Sequence, residues 1–214
     1  MSSTTADLLP QARIRQAALE LWGAQGFERT TIRQIASRAE VSPALVLHHF
    51  GSKQGLRDAV DAWVLEVLAS EKALMIVGAA MPSMSSYLDS MPEYRPILDY
   101  ITQCLRAGGE SAERMFDQIR RVTVDIVETS RAQGVEFDLG SDPDAGITIL
   151  VAMSLGFAML ERPLAHHLGG DSLTDPAVLA RYSLSSLEIL THGIFTDDSM
   201  LEAMRASTRS DQEE

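Results

Sequence analysis

The 214-residue sequence holds a single cysteine, Cys104, and only 6% of it is aromatic. One cysteine excludes an internal disulfide, and its position on a helix-like apolar face reads as a buried core thiol rather than a redox or metal centre. Strand-like alternation, internal repeats, coiled-coil heptads and glycine-rich phosphate loops are all absent, so the chain reads as nearly all helical. No nucleophile–base–acid set or metal cluster is recognisable, which argues against an enzyme and against a cofactor. His48-His49 do not make a metal site, because neighbours on a helix point about 100° apart. His166-His167 near Glu161 read as a loop-end pair. The opening MSSTTADLLPQ lacks a basic stretch followed by an apolar run, so no signal peptide is expected and the cytoplasm is the expected location. The uncharged run Ala145 to Leu160 has 16 residues, short of the roughly 20 that span a bilayer and without a basic flank.

What the sequence does have is acid, unevenly placed. The formal net charge is −12. Through Trp63 there are seven Lys/Arg against six Asp/Glu, giving +1; Val64 to Glu214 holds eleven against twenty-four, giving −13. An acidic remainder repels nucleic acid and leaves one near-neutral, locally basic end to approach it.

The stretch TTIRQIASRAEVSPALVLHHF, Thr30 to Phe50, lies in that end. Thr31 with Gln34 forms a Thr-x-x-Gln capping box, which starts a helix reaching about Ala39. Ser42-Pro43 is an N-cap followed by proline at the first helical position, so a second helix begins at Pro43. Two short helices joined by three or four residues have the spacing of a helix-turn-helix, whose second helix enters the DNA major groove. Before them, Ile14, Ala17, Ala18, Leu21 and Trp22 form one apolar face of a helix over Pro10 to Gln25, preceded by a disordered Met1 to Asp7. Phe27, Ile32, Ile35, Ala36, Ala39, Val41, Val46 and Phe50 complete a small three-helix core.

The run AALELWGAQGFERTTIRQIASRAEVS with HHFGSKQGL resembles the N-terminal DNA-binding domain of the Tet repressor (TetR) family of bacterial regulators. The matched features, in order, are Gly26-Phe27, Thr30-Thr31, Ile35-Ala36, Val41-Ser42, His49-Phe50 and Ser52-Lys53, within Ala12 to Ala62. The resemblance implies DNA contacts at Thr31 and Arg33, at Ser42, Pro43, Ala44, Leu45, Leu47 and His48, and a phosphate contact at Lys53. His49 would pack the end of its helix. Their chemistry agrees: Arg33 can reach a base edge or phosphate, and helix N-termini attract anions. Family members often carry glycine where Glu40 stands, so here the turn is either strained or differently built. Leu45 and Leu47 stand where threonine and tyrosine are usual, which leaves an apolar reading surface suited to thymine methyl groups.

Further along, Leu56, Ala59, Val60, Trp63, Val64, Val67 and Leu68 predict a fourth helix from Lys53 to about Leu74 that joins head to body. Gly78, Pro82, Pro92 and Pro96 interrupt the pattern until Ile97. A helix over Ile97 to Leu105 ends at Gly108-Gly109, and a longer one runs from about Ala112 to before Gly134. Asp142-Pro143 starts the uncharged helix, whose apolar circumference reads as buried, with small residues for close approach of another helix. Asp175-Pro176 starts the last long one, reaching about Phe195, and Asp197 onward reads as a polar, frayed tail.

These readings give an all-α chain divided into a helix-turn-helix domain with a short tail (1–52), a connecting helix (53–74), a ligand-binding and dimerisation domain (75–197) and a polar tail (198–214). The resemblance implies a homodimer formed through Ala145 to Leu160 and Pro176 to Phe195. It also implies repression at a palindromic double-stranded DNA operator, and release by a small apolar effector. Trp63, Tyr87, Tyr94, Tyr100, Met115, Phe116 and Phe157 are the candidate lining of the effector site. The competing reading is a helix-turn-helix protein whose apolar third helix binds another protein.

Overall fold

The computed structural model describes residues 5–76, 84–172 and 175–210, with side chains over 9–69, 95–156, 159–172 and 175–208. The described residues form ten helices and no strand: α1 (Thr5–Gln25), α2 (Ile32–Arg38), α3 (Pro43–Phe50), α4 (Lys53–Ile76), α5 (Met84–Ala107), α6 (Gly109–Ala132), α7 (Pro143–Met159), α8 (Glu161–His167), α9 (Pro176–His192) and α10 (Ser199–Ser210). They divide into two compact units, Met1–Glu161 and Arg162–Glu214.

In the first unit, α1 begins at Thr5, ahead of the expected Pro10, with Pro10 inside it. The proline removes a single hydrogen bond of the helix ladder. The predicted face of Ile14, Ala17, Ala18 and Trp22 is buried, but Leu19 is fully buried as well and Leu21 only partly. A second covered side has a cause outside the head, since α1 packs extensively against α5. Gly23 permits the approach: a Cβ there would lie 3.2 Å from both the Asp99 Cβ and the Tyr100 backbone nitrogen. The small separate head core is therefore corrected to one continuous core, running from Ile14 through Ile35, Val46, Leu56 and Tyr100 to Met115 and Val151. Replacing Gly23 with leucine forces α1 and α5 apart and should lower stability by about 1–3 kcal/mol, read from the urea midpoint.

The expected interruption at Pro92 and Pro96 is also corrected, while Gly78 and Pro82 lie outside the described residues. The α5 backbone is helical from Met84, with Pro92 and Pro96 inside it. Each proline costs one ladder bond, while Ile97, Tyr100, Ile101 and Cys104 bury a stripe of the same helix, and that burial outweighs the loss. Gly108 and Gly109, at φ 68° and 52°, then make the reversal into α6, in a backbone region where a side chain would be strained.

Asp142 caps α7, its Oδ1 accepting from the Ala145 N–H at 3.1 Å. This helix is not buried all round: Ile147 and Val151 are covered, while Ile149 and Met153 are 60% and 54% exposed. In the second unit, His166 and His167 lie in the last turn of α8 rather than at a loop end. Asp175 caps α9, which buries Val178 and Leu179, leaves Leu184, Leu187 and Leu190 exposed, and stops at His192, short of Phe195. Ser199–Ser210 of the expected tail is instead the helix α10, preceded by Asp197, whose Oδ1 accepts from the Ser199 N–H, with Met200, Leu201 and Met204 among its polar residues; 211–214 lie outside the described residues. Those three apolar side chains, at helical spacing, are the signal that overall polarity obscured.

The junction between the first three helices and the body is polar. Ser52 caps α4 through its Oγ, which accepts from the Gly55 N–H at 2.9 Å. One turn later Arg57 stacks its guanidinium 4.7 Å from the Phe27 ring centroid and donates from Nη2 to Ser111 Oγ of α6 at 2.7 Å. Asp61, another turn along, is 3% exposed and accepts from the buried Tyr100 hydroxyl of α5 at 2.5 Å. Burial raises the Asp61 carboxyl above its ordinary value, against the pull of the Tyr100 hydrogen bond and of Arg57. Burial likewise pushes the Tyr100 hydroxyl and the neighbouring Cys104 thiol upward, which fits the inert core thiol expected of Cys104.

A raised carboxylate makes stability fall with pH. Below the ordinary Asp value of 3.8 both folded and unfolded chains hold the proton. Between that value and the raised one only the folded chain does, so the contribution is lost as pH rises through the folded value. Asp61→Asn keeps an acceptor for Tyr100 and removes the titration. The variant's urea midpoint should gain on wild type from about pH 4 upward and then level off; a constant difference would show that Asp61 does not titrate abnormally.

Candidate nucleic-acid interface

The helix-turn-helix is built by its caps. Thr31 Oγ1 accepts from the Gln34 N–H at 3.3 Å while Gln34 Oε1 accepts from the Thr31 N–H at 2.7 Å, completing the predicted capping box. Ser42 Oγ accepts from the Leu45 N–H at 3.1 Å, with Pro43 at the start of α3. Between the two helices Glu40 has φ 54°, and no other non-glycine described residue has a positive φ. The alternatives at this corner are thus decided: the left-handed backbone is kept and Glu40 bears the strain. The Glu40 carboxylate meets Arg13 of α1 at 3.0 Å.

Packing of α2 on α3 and of α3 on α4 keeps the candidate residues on adjoining elements. Thr31, Arg33, Ser42, Pro43, Ala44, Leu47 and His48 are exposed; Leu45 and Lys53 are half-exposed. Val46 between the leucines is fully buried and fixes the rotation of α3. The hydroxyls differ in what they can offer DNA. Thr31 Oγ1 donates to Gln34 Oε1 at 3.0 Å, so its proton is committed, whereas Ser42 uses only a lone pair in its cap and keeps an O–H to donate. Arg33 extends from the first turn of α2, and among the described residues no side chain holds it. Lys53 lies on the Phe27 ring, its Nζ 4.1 Å from the centroid and 3.5 Å from the Glu28 carbonyl oxygen. The Lys53 ammonium, the expected phosphate contact, is thus already seated. His49 is half-buried, with Nδ1 3.3 Å from Gln11 Nε2, and ties the end of α3 to α1.

Sequence reasoning missed a second feature of the head. A solvent-open groove of about 550 Å³ runs between α1, the end of α2 and Trp63 of α4, lined by Arg13, Arg15, Gln16, Glu20, Arg38 and Glu40 among others. Its arginines were visible in the sequence, but as scattered positions that only the packing of α1 on α2 and α4 gathers. Trp63, one of the expected effector-lining residues, borders this groove, with the Arg15 guanidinium carbon 5.8 Å from its ring centroid. Of the other lining candidates, Tyr100 and Met115 are fully buried and Phe116 is packed partly buried against the same core. The side chains of Tyr87, Tyr94 and Phe157 lie outside the described residues. Among the described residues no three His, Cys, Asp or Glu side chains are grouped to hold a metal ion, and no single helix is long and apolar enough to cross a membrane.

Comparison with known proteins agrees with this geometry. Residues 14–60 match the family described as bacterial regulatory proteins, tetR family, and residues 92–196 match the tetracyclin repressor-like C-terminal domain. The chain is 34% identical over 212 residues to the HTH-type transcriptional regulatory protein RaaS of Mycobacterium tuberculosis, covering 96% of each. It is 54% identical over 99 residues to the HTH-type transcriptional regulator TcmR of Streptomyces glaucescens, covering 46% of this chain and 41% of that one. Among solved structures, Salmonella enterica GusR shares the fold at a TM-score of 0.53 and 21% identity, covering 87% of this chain and 98% of the other. With a relative above 30% identity matched along nearly its whole length, and both parts of the family architecture found in order, the chain belongs to the TetR family of DNA-binding transcriptional regulators.

Proposed function

We propose that this regulator is a homodimeric repressor that occupies a palindromic operator and is released from it by a small apolar molecule. The observation that carries the dimer is exposed apolar surface. In the first unit α7 leaves Ile149, Met153 and Met159 uncovered, with Leu160 exposed at its C-cap, and in the second α9 leaves Leu184, Leu187 and Leu190 uncovered at helical spacing. Rows of large apolar side chains this long are rare on a monomer and fit burial against a second copy. Two-fold symmetry then requires two half-sites, with the heads entering major grooves roughly 34–36 Å apart or a multiple of that.

The reading head is assigned to α1–α3, with residues 1–52 as its domain, α4 as connection and residues 75–197 as effector and dimerisation domain. The effector site is placed in that domain, beside Phe116, with Tyr87, Tyr94 and Phe157 as further candidates. Because α1 shares its core with α5, and Arg57 joins Phe27 to Ser111, a ligand that shifts α5 or α6 acts on the head directly. Effector and operator then oppose each other by linkage.

Binding to a pool of random duplexes, with the bound fraction sequenced, tests the reading. One palindromic site should be enriched. On that site Arg33→Ala should lower the magnitude of the log–log salt slope by about one unit for each phosphate that Arg33 neutralises. Salt-insensitive binding of another protein through Pro43, Ala44 and Leu47 would favour an interaction module instead. Leu187→Arg, at a side chain 54% exposed in the single chain, should leave the fold intact and yield a monomer by sedimentation, with operator binding abolished.

A further inference from the structure

The groove on the head has the composition of a ligand site. Arg13, Arg15 and Arg38 face Glu20 and Glu40, a net positive lining in a chain of net charge −12. The three arginines are not equally engaged. Glu20 takes Arg38 through both Nε and Nη2, at 3.0 and 2.6 Å, and also accepts from Gln16 at 2.9 Å. Burial raises the Glu20 carboxyl, yet the Gln16 and Arg38 hydrogen bonds hold it below its ordinary value, so this pair is well made. The Arg13–Glu40 pair is a single contact between side chains 49% and 85% exposed, and such pairs are weak. Arg15 lies over the Trp63 ring, and its Nε is shielded from solvent without an acceptor. A buried donor without a partner is costly, and an incoming anion would relieve it.

We propose that this groove binds a small organic anion carrying a flat ring. The anionic group takes Arg13, displacing Glu40, and takes the Arg15 Nε–H once a turn of the Arg15 side chain brings that shielded donor to the groove, while the ring packs at Trp63. The Arg38–Glu20 pair stays as a wall. Glu40 is also the left-handed corner between α2 and α3. Displacing its carboxylate removes a weak tie between that corner and α1. The site is separate from the effector site proposed above and requires neither operator nor dimer.

Calorimetric titration of the full chain with 1-naphthoate tests it, with 1-naphthalenemethanol supplying the ring alone and acetate the charge alone. Naphthoate should bind with a Kd below about 1 mM, and each control at least about tenfold more weakly. Arg15→Gln should weaken naphthoate about tenfold or more, since a charge-assisted hydrogen bond is removed. Glu40→Gln removes the competing carboxylate and should tighten binding by about two- to fivefold. Its side chain is exposed, so this variant remains informative if Arg15→Gln does not fold. No binding at several times that concentration overturns the proposal, as does equal binding of the alcohol. Naphthoate affinity indifferent to both substitutions would place it in the body and overturn the proposal equally.

Discussion

The close contact of α1 with α5 is the constraint on which the rest of this structure depends. It exists because residue 23 is glycine, and because Trp22 on one side meets Tyr100 on the other, their ring centroids 6.2 Å apart within one core. Through it the helix that supports the reading head is also a wall of the body, and a single core serves both. A head with a private core could pivot while the body stayed still. Here a shift of α5 by even a fraction of an ångström must be absorbed by α1, because close-packed interiors transmit displacement rather than damp it.

Polar groups at the same junction set what kinds of displacement are allowed. Apolar contacts tolerate sliding, but hydrogen bonds fix register. Arg57 is held by a ring from the head and a hydroxyl from α6, and Asp61 by a hydroxyl from α5, both from successive turns of α4. Removing one partner from such a buried set leaves a charged group without compensation, which costs far more than the pair contributes in isolation. The connecting helix is therefore locked to head and body at two defined heights, and a change of state must move these groups together.

Much of this was legible in the sequence where local chemistry decides structure. The capping box at Thr31, the Ser42-Pro43, Asp142-Pro143 and Asp175-Pro176 starts and the Gly108-Gly109 reversal all act within a few residues, and each stands where the spacing put it. What escaped depends on partners distant along the chain. Leu19 is buried in the core that α1 shares with α5, α5 is helical through two prolines because its other face is packed, and the groove arginines converge only when α1 meets α2 and α4. Asp61 and Arg57 stand between the apolar positions of an amphipathic helix, and nothing local marks a position whose burial is imposed from α5 and α6. The helix α7 shows the reverse error, since its composition reads as interior while one chain supplies cover for only part of it.

That uncovered surface and the charge distribution work toward the same end. An excess of acid from Val64 onward gives the part of the chain that carries the apolar rows a negative net charge, which disfavours nonspecific collapse onto other acidic proteins and onto DNA. Large apolar side chains on such a part associate productively only with a partner whose apolar area is enough to overcome the repulsion, which the proposed second copy would offer by symmetry. The same imbalance leaves the end carrying Arg33, Ser42 and His48 as the part of the chain that phosphate repels least. Approach to DNA is thereby oriented before any base is read, and increasing salt weakens this orientation along with the contacts themselves.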